Sequence, residues 1–518
     1  MTILSRLLPW LLLSLALPLA AEEAFVRPPA PGPYVGLRPA DFAPAQSFTA
    51  DDVVLAATYF YWYDSRTRMN TVYEGGRSAF RHVPAGAEDY TYKSVDWHKR
   101  QLRDMMAAGI DVVLPVYWGA VDGKPEWCFD GVKLLVQAIR ELQAAGEQPP
   151  KIGCFYATIQ LSWGPDGPLD LRTPYGREYF YTTVRDFWAV VPPDLWAMIG
   201  GQPLMLLYAA SLAGGHDQSS IDHLRTEFAR DFAGRTPYIV RGDGWDVQTE
   251  SRYSWGAAAF GPSVLGAAAI GPGYDDSIVP GRTPLIVDRE DGAFYTRAWE
   301  TLLRLPPAVR PRLVHIETWN ELHEATEICE TVELGRQYIE LTRKFGDMYR
   351  QGVQLPRSGP YASRREAWCE PGVEHGEGLK LLPEVGDGPS EPGERGGRRC
   401  RVSLRNPYGA ADLLYFALDD SFAFYESGDQ FVVRVSYFDG GVGTLLLEYD
   451  SNDPRGSVAE GAFKPGGSVA LTGSQRWRTA SFRLPDARFA NRTHGGDFRL
   501  GSLGTPLAVS RVRLQRLP

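Results

Sequence analysis

The chain has 518 residues, more than one hydrophobic core usually organises, so two domains of unequal size are expected. Hydrophobic residues at 44% and charged residues at 23% supply a large core and exclude collagen-like, coiled-coil and largely disordered chains. A net charge of −9 argues against nucleic acid as a partner, and against a polyanionic substrate unless a local basic cleft overrides the average.

Met1-Thr-Ile-Leu-Ser-Arg6 precedes an apolar run from Leu7 to Ala21 that is broken by Pro9 and Pro18. That run is short for a membrane span and has one positive charge in front of it, so residues 1–21 read as a signal peptide and the protein as secreted or periplasmic. No later stretch is apolar enough to span a bilayer. Residues 22–48, rich in Pro and Ala, read as an extended leader.

From there, strand-like runs alternate with amphipathic helical patterns. Strands are expected at 53–62, 111–117, 151–156, 203–208, 238–241, 257–260, 264–270 and 312–317. Helices are expected at 97–109, 132–145, 178–196, 221–232, 293–303 and 334–349. About eight strands separated by helices in some 300 residues are the pattern of an α/β fold, a (β/α)8 TIM barrel over residues 49–355. A doubly wound open sheet competes, but the turn after 53–62 lacks a glycine-rich phosphate loop. Residues 356–396 read as a polar linker, and 397–518 as a jelly-roll-like β-sandwich, a candidate carbohydrate-binding module, with strands near 414–417, 430–437, 443–449, 468–471, 478–482, 497–500 and 510–514.

The segment Glu317-Thr-Trp319-Asn320-Glu321-Leu322-His323-Glu324 begins where the last barrel strand ends. Barrel active sites are built at the carboxyl ends of strands. Two carboxylates three residues apart, beside an Asn, a His and a Trp, supply the acid and base that glycosidic cleavage needs. The competing reading is an acidic first turn of a helix, with Glu324, Glu327 and Glu330 favouring its N-terminus. Other candidates lie at strand ends or just beyond: Asp96 and His98, Tyr117 and Trp118, Tyr156, Asp243 and Trp245, and Tyr274. Each could bond or stack on a sugar, and for each aromatic barrel packing is the plainer role. Asn320 could hold a carboxylate in place, and His323 could tune the acid or face the helix behind it. In the sandwich, Tyr425, Tyr437, Phe438 and Tyr449 form a candidate stacking platform, and Asp450, Asn452 and Asp453 a turn that could take calcium or simply be solvated. Of five cysteines, Cys369 and Cys400 are a candidate disulfide pair. No Cys/His spacing supports a zinc site, and no metal or organic cofactor is expected.

Trp319-Asn-Glu-Leu-His-Glu-Ala-Thr-Glu-Ile328 resembles the Asn-Glu-Trp-x-Glu-Gly-Thr-x-Ile-Glu motif of glycoside hydrolase family 99, the endo-α-mannosidase group. Tyr59-Phe-Tyr61-Trp-Tyr63 resembles that family's first strand, and Ala107-Ala-Gly-Ile-Asp111-Val its second. Gly271-Pro-Gly-Tyr274-Asp275, with Arg289 to Tyr295 and Trp299, resembles the stretch before its last strand. The resemblance spans about residues 53–350. It implies a retaining, endo-acting hydrolase without cofactor, with Tyr61, Tyr63, Trp319, Asn320 and His323 near the sugar. Glu321 would take the proton of the sugar 2-hydroxyl, which attacks the anomeric carbon to give a 1,2-anhydro intermediate. Glu324 would protonate the leaving oxygen and then activate water. Leu322, Ala325, Cys329 and Tyr61 depart from the usual residues, and this bears on the substrate more than on the catalytic pair. A non-catalytic carbohydrate-binding or cell-envelope polysaccharide protein on the same barrel is the alternative, and a glycosyltransferase-associated barrel a weaker third.

Overall fold

The computed structural model describes residues 25–42, 47–242, 244–385, 387–426, 428–453 and 461–517. The expected signal peptide, parts of the leader and Asp243 lie outside the described residues. Among those described, no helix is long and apolar enough to cross a membrane. The chain divides into two compact units, Met1–Trp299 with Pro311–Gln351, and Glu300–Arg310 with Gly352–Pro518.

The first unit is built on eight parallel strands: β1 (Val54–Tyr59), β2 (Val112–Tyr117), β3 (Cys154–Tyr156, preceded by Lys151–Ile152), β4 (Gln202–Leu207), β5 (Tyr238–Arg241), β6 (Ser251–Arg252), β7 (Ala268–Ile270) and β8 (Leu313–Ile316). Their order in the sheet is β6-β5-β4-β3-β2-β1-β8-β7, and Ser263–Val264 adds an antiparallel partner at the β7 edge. Ala56 pairs with Val112 and Val54 with Leu313, so first and last strands are neighbours. The sheet curls until its ends approach: the Ala267 amide donates to the Arg252 carbonyl at 2.9 Å, between the start of β7 and the end of β6. α1 (Val95–Ala108), α2 (Glu126–Ala144), α3 (Pro174–Val190), α4 (Gln218–Asp231), α5 (Ala293–Arg304) and α6 (Gln337–Arg350) alternate with the strands.

Local signals explain the element ends. Ser94 caps α1 by accepting from the Trp97 amide, and Gly109, at φ 76°, ends it in the left-handed conformation that glycine adopts without steric cost. The strand expected at 257–260 is instead a short helix, Ala257–Phe260. Three alanines favour helix, and Gly256 and Gly261, both at positive φ, bracket the turn and prevent extension.

In the second unit the stretch 356–396, expected as a linker, carries β9 (Glu366–Glu370), β10 (His375–Glu377), β11 (Leu379–Leu382), β12 (Glu384–Val385) and β13 (Gly388–Arg395). Its Gly, Pro and charged residues are turn and edge positions of sheets rather than a tether. After β14 (Arg398–Ser403) come β15 (Asp412–Leu418), β16 (Phe431–Phe438), β17 (Val442–Tyr449), β18 (Lys464–Thr472), β19 (Trp477–Leu484), β20 (Phe498–Leu503) and β21 (Ala508–Arg516), on which the seven expected strands fall. One antiparallel sheet runs β10-β9-β21-β14-β13-β12 with β16 and β19 joined to it, and the other runs β11-β15-β20-β17-β18. Val433, Val435 and Leu514 of the first share an apolar core with Phe416, Leu447 and Leu500 of the second.

That core corrects two expectations. Tyr437 and Tyr449 point into it, so they form no sugar platform. Cys369 also packs there, while Cys400 sits in a separate cluster with Val402 and Ala508, and both thiols are free. In the candidate calcium turn the carboxylates already hold cationic side chains, Asp450 that of Arg492 and Asp453 that of Lys464. Among the described residues no cluster of His, Cys, Asp or Glu is arranged to hold a metal ion.

Candidate functional site

The residues after β8 fold into a turn at the carboxyl-terminal mouth of the curled sheet, beside a cleft of about 590 Å³. They do not start a helix, which begins only at Gln337. Asn320 fixes the turn. Fully buried, it accepts from the Phe60 amide at 2.7 Å and donates to the Phe60 carbonyl at 2.8 Å, so its amide continues the pairing beyond the end of β1. The Tyr63 hydroxyl donates to the Asn320 carbonyl and accepts from the Leu322 amide, both at 3.1 Å. The Trp319 indole is buried and donates to Gln101 on α1.

Three glutamates of this segment, Glu317, Glu321 and Glu324, line the cleft. Glu317 accepts from the Gly256 amide at 2.8 Å. One Glu321 oxygen accepts from the His323 amide at 3.1 Å, while the other is buried and takes no bond from the protein. Burial first, and then the charges of Glu324 and Glu327, push the Glu321 carboxyl well above the ordinary glutamate value. His323 agrees with this. Its Nε2 donates to the Asn70 carbonyl at 2.7 Å, and burial lowers its basicity, so the neutral ring turns an Nδ1 lone pair toward Glu321 Oε1 at 3.4 Å. A lone pair facing a carboxyl favours the protonated carboxyl. Glu324 accepts at 2.6 Å from Arg282, whose guanidinium also bonds the Tyr274 hydroxyl at 3.1 Å and lies 3.4 Å from Asp276.

Between the ordinary value and the raised one, the folded chain binds more protons at Glu321 than the unfolded chain does. Stability therefore falls as pH rises through that window. Glu321→Gln removes the ionisable group with little change of shape, so the variant should melt above the wild type at neutral pH, the difference closing toward about pH 4, where both states are protonated. Thermal unfolding followed across pH checks this. A variant that melts below the wild type at neutral pH contradicts the shift.

Of the residues expected near the sugar, Trp118, Tyr274 and His323 line the cleft together with Glu321 and Glu324. Several others do not. Tyr61, Tyr117 and Tyr156 are buried behind the strands, Tyr61 donating to the Cys128 carbonyl and Tyr156 bonded to Thr183. Tyr63, Trp319 and Asn320 brace the glutamate turn from behind. His98 is enclosed between Tyr59 and the Tyr92 carbonyl, and burial pushes its imidazole down to about 4. Asp96 is an exposed residue of the first turn of α1 paired with Lys99, and Trp245 is buried with its indole donating to the Tyr208 carbonyl. Sequence reasoning missed Phe60, Trp62, Phe155, Trp255 and Arg282 on the cleft wall. Beyond the ends of the strands alternate side chains still turn to opposite sides: after β1 Phe60 and Trp62 line the cleft while Tyr61 and Tyr63 face away, and after β2 Trp118 lines it where Tyr117 does not.

No curated protein matches the chain. Among solved structures, the GH99 endo-alpha-mannosidase of Bacteroides thetaiotaomicron is similar at 15% identity and TM-score 0.42, over 58% of this chain and 98% of that one. The CBM22-1-GH10 modules of a Clostridium thermocellum endo-1,4-beta-D-xylanase are similar at 16% and 0.18, over 29% and 26% of the two chains. The carbohydrate-binding module CBM6cm-2 of Cellvibrio mixtus lichenase 5A is similar at 13% and 0.17, over 29% and 96%. Likenesses at this level leave function to be argued from the site. Residues 40–358 match the family described as "Domain of unknown function (DUF5010)", and the chain belongs to that family.

Proposed function

We propose that the chain is an exported, endo-acting, retaining glycoside hydrolase, with the curled sheet as a (β/α)8 barrel and the second unit as a jelly-roll-like sandwich. The observation that carries this reading is Glu321, a buried carboxyl with one unpartnered oxygen and a raised proton affinity, beside Glu324 in a cleft walled by aromatic rings. The Trp62 and Trp118 indole N–H groups on that wall likewise have no partner in the protein. Buried indole N–H groups usually find one, so a bound sugar's hydroxyls suit them.

In this reading Glu321 is the base. A group that takes a proton from a sugar hydroxyl gains from high proton affinity, which burial gives it. Glu324, nearer solvent, protonates the leaving oxygen and then activates water, once a substrate displaces it from Arg282. α-Mannoside linkages come first, on the motif's resemblance. The test is release of reducing ends from soluble α-mannan, β-mannan, xylan, mixed-linkage glucan and pullulan by the full chain. Cleavage of one of them, lost in Glu321→Gln, supports the hydrolase. Binding without release from any supports the non-catalytic alternative instead.

A further inference from the structure

Exposed aromatic rings flank the carboxylates on both sides of the cleft, and a role for them in holding substrate rests on the hydrolase reading. Trp62 and Trp118 meet edge to face, 5.0 Å between centroids at 89°, and Trp163 meets Trp118 in the same manner at 6.4 Å and 67°. Trp163 ends the short turn Ile159–Ser162 after β3, and 44% of its surface is open to solvent. Trp163 thus lies just outside the cleft, against Trp118 of its wall, and on the other side Phe260, on the wall itself, ends the short helix between β6 and β7 and is 82% exposed.

Sheet order places these residues along one arc of the cleft mouth. Trp163 follows β3, Trp118 follows β2, Trp62 follows β1 and the two glutamates follow β8, while Phe260 follows β6, which lies past β7 on the other flank of the glutamates. The arc passes the glutamates and carries an exposed aromatic ring on either flank of them. A site built for a chain end would be walled off on one side. Aromatic faces left open at both ends fit an interior stretch of chain, because the C–H faces of sugar rings stack on such rings and exclude water from them.

We infer that a glycan chain lies across this mouth, with sugars on either side of the cleaved bond stacked on Trp163 and on Phe260, and that these two rings set the chain length the protein requires. The experiment uses the full chain and the polysaccharide it cleaves, offered as a size series from disaccharide to octasaccharide. Wild-type kcat/KM should rise with length. Trp163→Ala and Phe260→Ala should each lose about tenfold on the longest substrates and less than about twofold on the shortest, and Trp163→Tyr should recover most of the loss. Both positions are exposed, so folding should persist, and melting temperature monitors it. Equal loss at every length, or none, overturns the inference while leaving the hydrolase intact. A wild type that cuts nothing overturns the hydrolase reading, and the inference with it.

Discussion

Glu321→Gln and Glu324→Gln are each expected to lower kcat/KM by about two to four orders of magnitude, or roughly 3 to 5.5 kcal/mol of transition-state stabilisation, without unfolding the chain. The two losses should differ in kind. An aryl glycoside with a good leaving group needs little protonation, so Glu324→Gln should recover much of its rate on it. Glu321→Gln should stay inactive there, because the 2-hydroxyl still lacks its base. For the same reason a 2-deoxy substrate should not be turned over by the wild type. Glu321 also predicts the acid limb of the wild-type pH profile. Its raised proton affinity leaves the base protonated until pH exceeds the usual carboxylate range, so kcat/KM should begin to fall well above about pH 4.3. Rescue of Glu321→Gln rather than Glu324→Gln would reverse the two roles, and full activity of both variants would place the chemistry elsewhere.

Arg289→Met is expected to destabilise the first unit more than any surface change. Glu327, fully buried three positions after Glu324, accepts from Arg289 at 2.8 Å and bonds His82 at 2.8 Å. The same Arg289 nitrogen donates to the Ala325 and Glu327 carbonyls, bracing a turn in which Ala325 holds φ 49°. Removing the guanidinium leaves a buried carboxylate and two carbonyls short of a donor, at a cost of about 3–5 kcal/mol. A fall in melting temperature on the order of 10 °C is the expected result. Adding Glu327→Gln to Arg289→Met should return part of that loss, since the stranded charge is gone. If the double variant is less stable than Arg289→Met alone, the ion pair is not the cause.

The alternation of strands and helices was legible because each element carries its own period and ends. The glutamate turn was legible because its acids, Asn and Trp crowd the end of a strand. Which neighbours face the cleft was not. β1 and β2 are buried on both sides, so they show no polar and apolar alternation, and nothing in Tyr59-Phe-Tyr-Trp-Tyr63 separates the inward pair from the outward one. Arg282 reaches Glu324 across 42 positions from a Pro- and Gly-rich loop, where no period exists to point at a partner. The second unit's first strands were hidden because Gly, Pro and charge on sheet edges have the composition of a tether.

Asn320 closes its two bonds to Phe60 across 260 positions of sequence. Contacts that distant are slow to form, and nearly the whole first unit must exist before this one can. During synthesis the chain therefore carries no assembled centre until its eighth strand has emerged and docked against its first. A chain stopped before residue 320 would keep most of the scaffold sequence and lack Glu321 and Glu324 altogether. On the hydrolase reading, activity is acquired in one late step, so partly made or partly folded copies should be inert rather than weakly active.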